Sequence, residues 1–154
     1  MLDRLTSLFS TWTSRANDAG NPARRVVLSA AVLMVETAVM DGTLQGEERK
    51  RILAILTSRF DLAAEAAEIL LSEAEQANAD ATQLLPFTRS LTDALDAERR
   101  IEIVEMLWEV VYADGHLHDY EANLVRRISG LLYVADQDSG AARKRAMARL
   151  GLSD

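Results

Sequence analysis

The chain has 154 residues, 49% of them hydrophobic and 27% charged, a composition typical of a single soluble globular domain with a sizeable core. The absence of cysteine excludes disulfides and thiolate metal sites, and the formal net charge of −7 argues against nucleic acid and favours cations or basic partners as ligands. No segment has the pattern of a membrane span or a secretory signal. We therefore expect a cytoplasmic protein that neither binds nucleic acid nor inserts into a membrane.

The first 20 residues predict an amphipathic helix over residues 2–14, followed by a linker. The apolar stripe of such a helix needs a surface to pack against. We expect that surface to be the protein's own domain, because Arg4 and Arg15 form only a thin basic face for binding to a membrane. The apolar side chains that recur at helical spacing are Leu2, Leu5, Leu8, Phe9 and Trp12.

The remaining segment, residues 21–150, predicts one helical domain. Pro22 suits the first turn of a helix that runs to about Met40. This helix is apolar nearly all round, so we expect it at the centre of a bundle. The dipeptide Asp41-Gly42 ends it, since glycine readily adopts the left-handed conformation that follows a last helical turn.

Helical spacing of apolar residues continues through the rest of the domain, without the alternation that is typical of strands. Asp80 and Gln83 are a candidate capping pair for the helix that contains Pro86, and Asp96 is expected to cap the helix after it. Further helices are predicted over about 46–60 and 62–77, then from the Asp80 cap through Leu95, and from the Asp96 cap to Asp114-Gly115. Another is predicted over about 119–133, and a basic final helix contains Arg143, Lys144, Arg145 and Arg149. The predicted fold class is therefore all-α, a single bundle of about seven to eight helices.

An acidic helix-turn-helix occurs twice in this domain, with a constant step of 73 positions between equivalent residues. A repeat of this length predicts an internally duplicated core with two-fold-like symmetry. The polar pairs are Glu36 with Glu109, Asp41 with Asp114, and Glu48 with Glu121. The apolar pairs that continue the register are Ile52 with Val125, Ile55 with Ile128, and Phe60 with Tyr133.

Each of the two helix junctions gathers carboxylates and turn carbonyls, the oxygen ligands that Ca²⁺ and Mg²⁺ prefer. The spacing differs from that of an EF-hand loop, which places oxygen donors at alternate positions before its glycine. The candidate metal ligands are Asp41, Glu48 and Glu36 in the first copy, and Asp114, Glu121 and Glu109 in the second. Glu36 is notable because it is the only charge inside an apolar helix, and it needs a metal ion or a partner such as Arg25 or Arg51.

Both histidines of the chain, His116 and His118, fall in the second junction. Together with the neighbouring carboxylates they form a set of nitrogen and oxygen donors suited to Zn²⁺, Mn²⁺ or Ni²⁺. The second junction is therefore the better candidate for a metal site, and the first is expected to be mainly architectural.

Helix capping is the alternative explanation for the same acids. An aspartate next to glycine commonly stabilises a turn, and a glutamate in the first turn of a helix interacts with the free backbone amides there. Glu109 shares a polar stripe with Glu102 and Glu105, which predicts that all three carboxylates face solvent.

The second junction resembles the signature of the tellurite-resistance protein B family (TerB-like domains), especially its stand-alone bacterial members. The similarity lies in residues 107–108, the sequence Tyr-Ala-Asp-Gly-His-Leu at 112–117, Glu121 and residues 124–128, and it extends over about residues 24–148. The resemblance implies an all-helical, cytoplasmic domain with a duplicated core and a link to stress or tellurite resistance. It also implies divalent-metal binding by the acids that match the motif, which are Asp41, Glu48, Asp114 and Glu121.

Two functions follow from the sequence. The first is a module that binds a divalent metal ion (Ca²⁺, Mg²⁺, Mn²⁺ or Zn²⁺) and acts through an unidentified protein partner in bacterial stress physiology. The alternative is a metal-free interaction scaffold whose acids are helix caps. We expect no catalysis, because the chain has no nucleophile elbow, phosphate-binding glycine loop or zinc-protease motif. The sequence leaves homo-oligomerisation open.

Overall fold

The structure is a computed structural model, and it describes residues 22–39, 44, 46–115 and 117–152. Those residues form seven α-helices and no strand, which confirms the predicted all-α fold. The helices are α1 (Pro22–Ala38), α2 (Gly46–Arg59), α3 (Ala64–Asp80), α4 (Leu85–Ala94), α5 (Ala97–Val111), α6 (Asp119–Leu131) and α7 (Asp136–Arg149). The helix predicted over residues 2–14 lies outside the described residues, and the division of the chain at residue 20 stays a prediction.

The duplicated helix-turn-helix is visible in the helix boundaries. The first copy is α1 and α2, and the second is α5 and α6; the end of α1 and the start of α2 both recur 73 positions later. In the second junction α5 ends at Val111, and Gly115, in the turn that follows, has a φ of +84°, the left-handed conformation that glycine readily adopts. The apolar α1 is buried along most of its length and contacts α3, α4 and α5, so its predicted central position is confirmed.

The register of the repeat changes after the second helix, because α2 has 14 residues and α6 has 13. Equivalent positions are 72 apart from there on. Phe60 and Leu132 are both fully buried, whereas Tyr133 is 79% exposed. Asp61 and Tyr133 share the same left-handed backbone, with φ values of 56° and 59°. The predicted equivalence of Phe60 and Tyr133 is therefore wrong, and Leu132 is the counterpart of Phe60.

The repeat also extends to a third helix. The residues before α3 and α7, Ala63 and Ala135, have nearly identical backbone angles (φ −66°, ψ 153° and φ −65°, ψ 150°). We call α1–α3 unit one and α5–α7 unit two; α4 joins them. Within each unit the first helix packs most extensively against the third, and α1 contacts α5 between the units. None of the seven described helices is both long and apolar enough to cross a bilayer.

The two predicted caps have different outcomes. Asp96 caps α5, and its side chain accepts a hydrogen bond from the Arg99 backbone N–H at 3.0 Å. Asp80 instead is the last residue of α3, where its carboxylate accepts a hydrogen bond from the Gln76 side chain at 3.1 Å. The prediction that Asp80 opens the next helix is wrong, because α3 continues past residue 77 and α4 begins only after Leu84.

Candidate functional site

The second junction brings Asp114, His118 and Glu121 together at the surface. Asp114 lies in the turn after α5, His118 is the N-cap residue of α6, and Glu121 is in the first turn of α6. His118 Nε2 is 3.6 Å from Asp114 Oδ2 and 3.8 Å from Glu121 Oε1. The His118 and Asp114 side chains are about half exposed (45% and 46%), while that of Glu121 is 5% exposed. The site is therefore open to solvent at His118 and Asp114 and buried at Glu121.

The spacing of these three side chains is chemically informative. Distances of 3.6 and 3.8 Å exceed those of hydrogen bonds. Two ligand atoms each about 2.1 Å from a tetrahedral metal ion lie about 3.4 Å apart, so small side-chain movements would bring the nitrogen and the two carboxylates to ligand spacing. The Tyr120 ring stacks on the His118 ring with 5.6 Å between centroids, which restrains the imidazole.

The structure does not add further predicted ligands to this group of three side chains. Asp41 and His116 lie outside the described residues, so their roles stay predictions. Glu48 is half-buried in the first turn of α2. Among the His, Asp and Glu side chains of the described ranges, no group of three or more is arranged as it would be around a bound metal ion.

Glu36 has a neutral partner. Its carboxylate is half-buried between α1 and α3 and accepts a hydrogen bond from Asn78 Nδ2 at 2.7 Å. The sequence suggested Arg25 or Arg51 as partners; the amide on α3 fills this role because α1 packs most extensively against α3 in unit one.

Glu109 belongs to a buried ion-pair cluster rather than to a solvated stripe. Glu102, Glu105 and Glu109 are only 3–4% exposed, so the prediction that they face solvent is wrong. The physical reason is that α2 inserts Arg59 beside the row and α7 covers its outer side with Arg145 and Arg149. We call these six residues the arginine–glutamate cluster.

The contacts of this cluster are short and specific. Arg59 Nη2 donates to Glu105 Oε2 at 2.8 Å and to Glu109 Oε1 at 3.1 Å. Arg149 Nη1 lies 2.8 Å from Glu105 Oε2 and 2.6 Å from Glu109 Oε1, and Arg145 Nε donates to Glu105 Oε1 at 2.6 Å. Arginines therefore occupy the Glu109 carboxylate, which makes it a structural group in this arrangement.

Burial raises the pKa of two carboxyls in this row, those of Glu109 and Glu102. Loss of solvation raises the pKa of Glu109 above its ordinary value of 4.5; the charge of Arg59 opposes this increase, and that of Glu105 adds to it. Burial likewise raises the pKa of Glu102, against the effect of Arg59. The arginines offset only part of the cost of taking these carboxylates out of water.

The cluster was not found from the sequence, although a signal was present. Three glutamates at positions i, i+3 and i+7 of α5 form a regular row, and the last helix concentrates arginines on a similar spacing. A row of one charge on one helix and of the opposite charge on another would have suggested that the two helices pair. Arg59 offered no such signal, because its spacing within α2 is also compatible with a surface position.

Comparison with known proteins identifies one family. The family model described as "Tellurite resistance protein TerB" matches residues 27–144, which include most of unit one, the connecting helix α4 and most of unit two. The comparisons with curated proteins and with solved structures gave no match.

Proposed function

The chain belongs to the tellurite resistance protein TerB family, and we propose that it binds a divalent metal ion at the second junction and acts through a protein partner. In this proposal the protein is a non-catalytic, cytoplasmic module of bacterial stress or tellurite-resistance physiology. The metal ligands are Asp114, His118 and Glu121, with His116 as a further candidate. The first junction, with Asp41 and Glu48, is a second and weaker candidate site.

The observation that supports the proposal is the position of His118 Nε2 opposite two carboxylates. One imidazole nitrogen with two carboxylate oxygens favours Zn²⁺, Mn²⁺ or Ni²⁺ over Ca²⁺ and Mg²⁺, which prefer sites made entirely of oxygen. Leu117 and Tyr120 are exposed beside this site, and they offer an apolar contact for the protein partner.

The metal-free scaffold remains the second candidate, and a specific observation favours it. His118 is the N-cap residue of α6 and Glu121 is its third residue, the position from which a glutamate commonly interacts with the free amides of a helix start. In this view the same side chains stabilise the junction, and partner binding needs no metal.

A metal titration separates the two functions. Protein treated with a chelator is melted in the presence of Zn²⁺, Mn²⁺, Ni²⁺, Ca²⁺ or Mg²⁺. A ligand present at a hundred times its dissociation constant stabilises the native state by about 2.7 kcal/mol, so a true site gives a clear increase in melting temperature. No increase with any of the five ions at millimolar concentration would contradict metal binding and favour the scaffold.

Substitutions then locate the site. Asp114→Ala and His118→Ala are expected to abolish the increase in melting temperature, whereas Asp136→Ala, which removes an exposed aspartate at the start of α7, is the matched control and should preserve it. If binding survives Asp114→Ala but is lost in Asp41→Ala, the first junction holds the metal. Binding that survives both would place the ion elsewhere.

A further inference from the structure

Glu102, Glu105 and Glu109 form the row of glutamates on α5. Among the described residues, arginines donate hydrogen bonds to Glu105 and Glu109 but not to Glu102. Both carboxylate oxygens of Glu105 accept hydrogen bonds from arginines, and so does the Oε1 atom of Glu109. Glu102 is 4% exposed, and within the described ranges no donor reaches its Oε2 atom, which is shielded from solvent. A buried, ionised oxygen without a partner destabilises the fold, so we expect a ligand to bind at this position.

The surroundings decide what kind of ligand fits. A metal ion would need several oxygen donors, but arginines already occupy the neighbouring Glu105 carboxylate. An anion would be repelled by the row itself. A proton requires no additional space, and it converts the carboxylate into a neutral group with one donor.

We propose that Glu102 is a proton-binding site, which takes up a proton in the folded protein at a pH where exposed glutamates are still ionised. The charged groups of the described residues that act on Glu102 are Arg59 of α2 and Glu98 and Glu105 of α5. From α7, Arg145 and Arg149 bind the next glutamates along the row. Burial, reinforced by the charges of Glu105 and Glu98, outweighs the opposing effect of Arg59 and favours the neutral form of Glu102.

The direction of the Glu102 pKa agrees with this geometry. Burial raises it above 4.5; Arg59 lowers it, and the charges of Glu105 and Glu98 raise it further. A carboxyl whose pKa is higher in the folded than in the unfolded chain stabilises the fold below the unfolded value, and this contribution is lost as the pH rises through the folded value. The fold is therefore expected to gain stability from Glu102 as the medium becomes mildly acidic.

Carbon-13 NMR of the glutamate carboxyl groups in the wild-type protein tests the site directly. The Glu102 carboxyl resonance, assigned through its bonds to the backbone, is followed between about pH 4 and pH 8. The expected result is a titration midpoint clearly above 4.5, and the resonance of exposed Glu65 provides the reference. A Glu102 midpoint at or below that of Glu65 would overturn the proposal.

Equilibrium unfolding of Glu102→Gln and of the control Glu65→Gln gives a second readout. The folding equilibrium constant of Glu102→Gln relative to the wild type is expected to be constant below the unfolded pKa, to rise by up to about tenfold per pH unit between the unfolded and the folded pKa, and to be constant again above the folded pKa. Glu65→Gln removes an exposed carboxylate and is the control for the loss of one negative charge. A ratio for Glu102→Gln that does not change with pH would show that no proton is bound there.

Discussion

In unit one the third helix is acidic and its ion pairs are partly exposed, whereas in unit two the third helix is basic and its arginines contact buried glutamates. Glu73 of α3 and Arg145 of α7 occupy equivalent positions, 72 apart, with opposite charge. Glu73 pairs with Arg24 of α1, and Arg145 pairs with Glu105 of α5. The two units thus preserve the backbone and the packing of three helices while reversing the charge across the interface between the first and third helices.

The two units are alike in their core positions and different in their charged positions. Positions that face the common core remain apolar in both units, as Phe60 and Leu132 do at the same turn. Charged positions differ between the units, and an ion pair of either polarity is compatible with the same helix packing. Breaking an ion pair in unit two is expected to destabilise the fold more, because a buried charge that loses its partner costs far more free energy than an exposed one.

The largest expected effect concerns Arg59. Arg59→Met should lower the free energy of unfolding by about 3–5 kcal/mol, because it removes the buried cation from between Glu105 and Glu109. Arg24→Met, in unit one, breaks a pair with the partly exposed Glu73 and should cost less than about 1 kcal/mol. Urea unfolding of both variants measures the difference. Equal losses would mean that burial does not distinguish the ion pairs of the two units.

The next effect tests the corrected register. Leu132→Ala should destabilise the protein by about 2–5 kcal/mol, as is usual for a leucine deleted from a packed core, because Leu132 is the buried counterpart of Phe60. Tyr133→Ala, at the exposed neighbouring position, should change stability by about 0.5 kcal/mol or less. Thermal unfolding of the two variants decides between the registers; a larger loss for Tyr133→Ala would restore the 73-residue pairing with Phe60.

The smallest effect should be the same in both units. Ala63 and Ala135 precede α3 and α7 and make no side-chain cap hydrogen bond. Ala63→Ser and Ala135→Ser should each stabilise the protein by about 1 kcal/mol, since serine can accept a hydrogen bond from a free amide of the first turn. Ala64→Ser, one position further along, is the matched control and should give no gain. Unequal gains at the two caps would show that the helix starts are not equivalent.

Much of the fold could be predicted from the sequence because it depends on local signals. Apolar spacing predicted the helices, Asp96 predicted a cap, and Asp114-Gly115 predicted the end of α5. The change of register escaped prediction because one residue fewer in α6 leaves the apolar pattern nearly unaltered. Of the candidate site, the proximity of Asp114, His118 and Glu121 follows from positions at most seven residues apart, which a single helix junction brings together.

The sequence by itself determined the all-helical class, the duplicated pair of helices and the resemblance to the TerB family, because each depends on periodicity or on a short motif. Only the tertiary structure decided which acids are buried. Glu105 and Glu109 bind arginines that lie between 40 and 50 positions away along the chain. A row of glutamates on a helix has the same spacing whether it faces water or guanidinium groups, so the acidic junctions could be located from the sequence while the arginine–glutamate cluster could not.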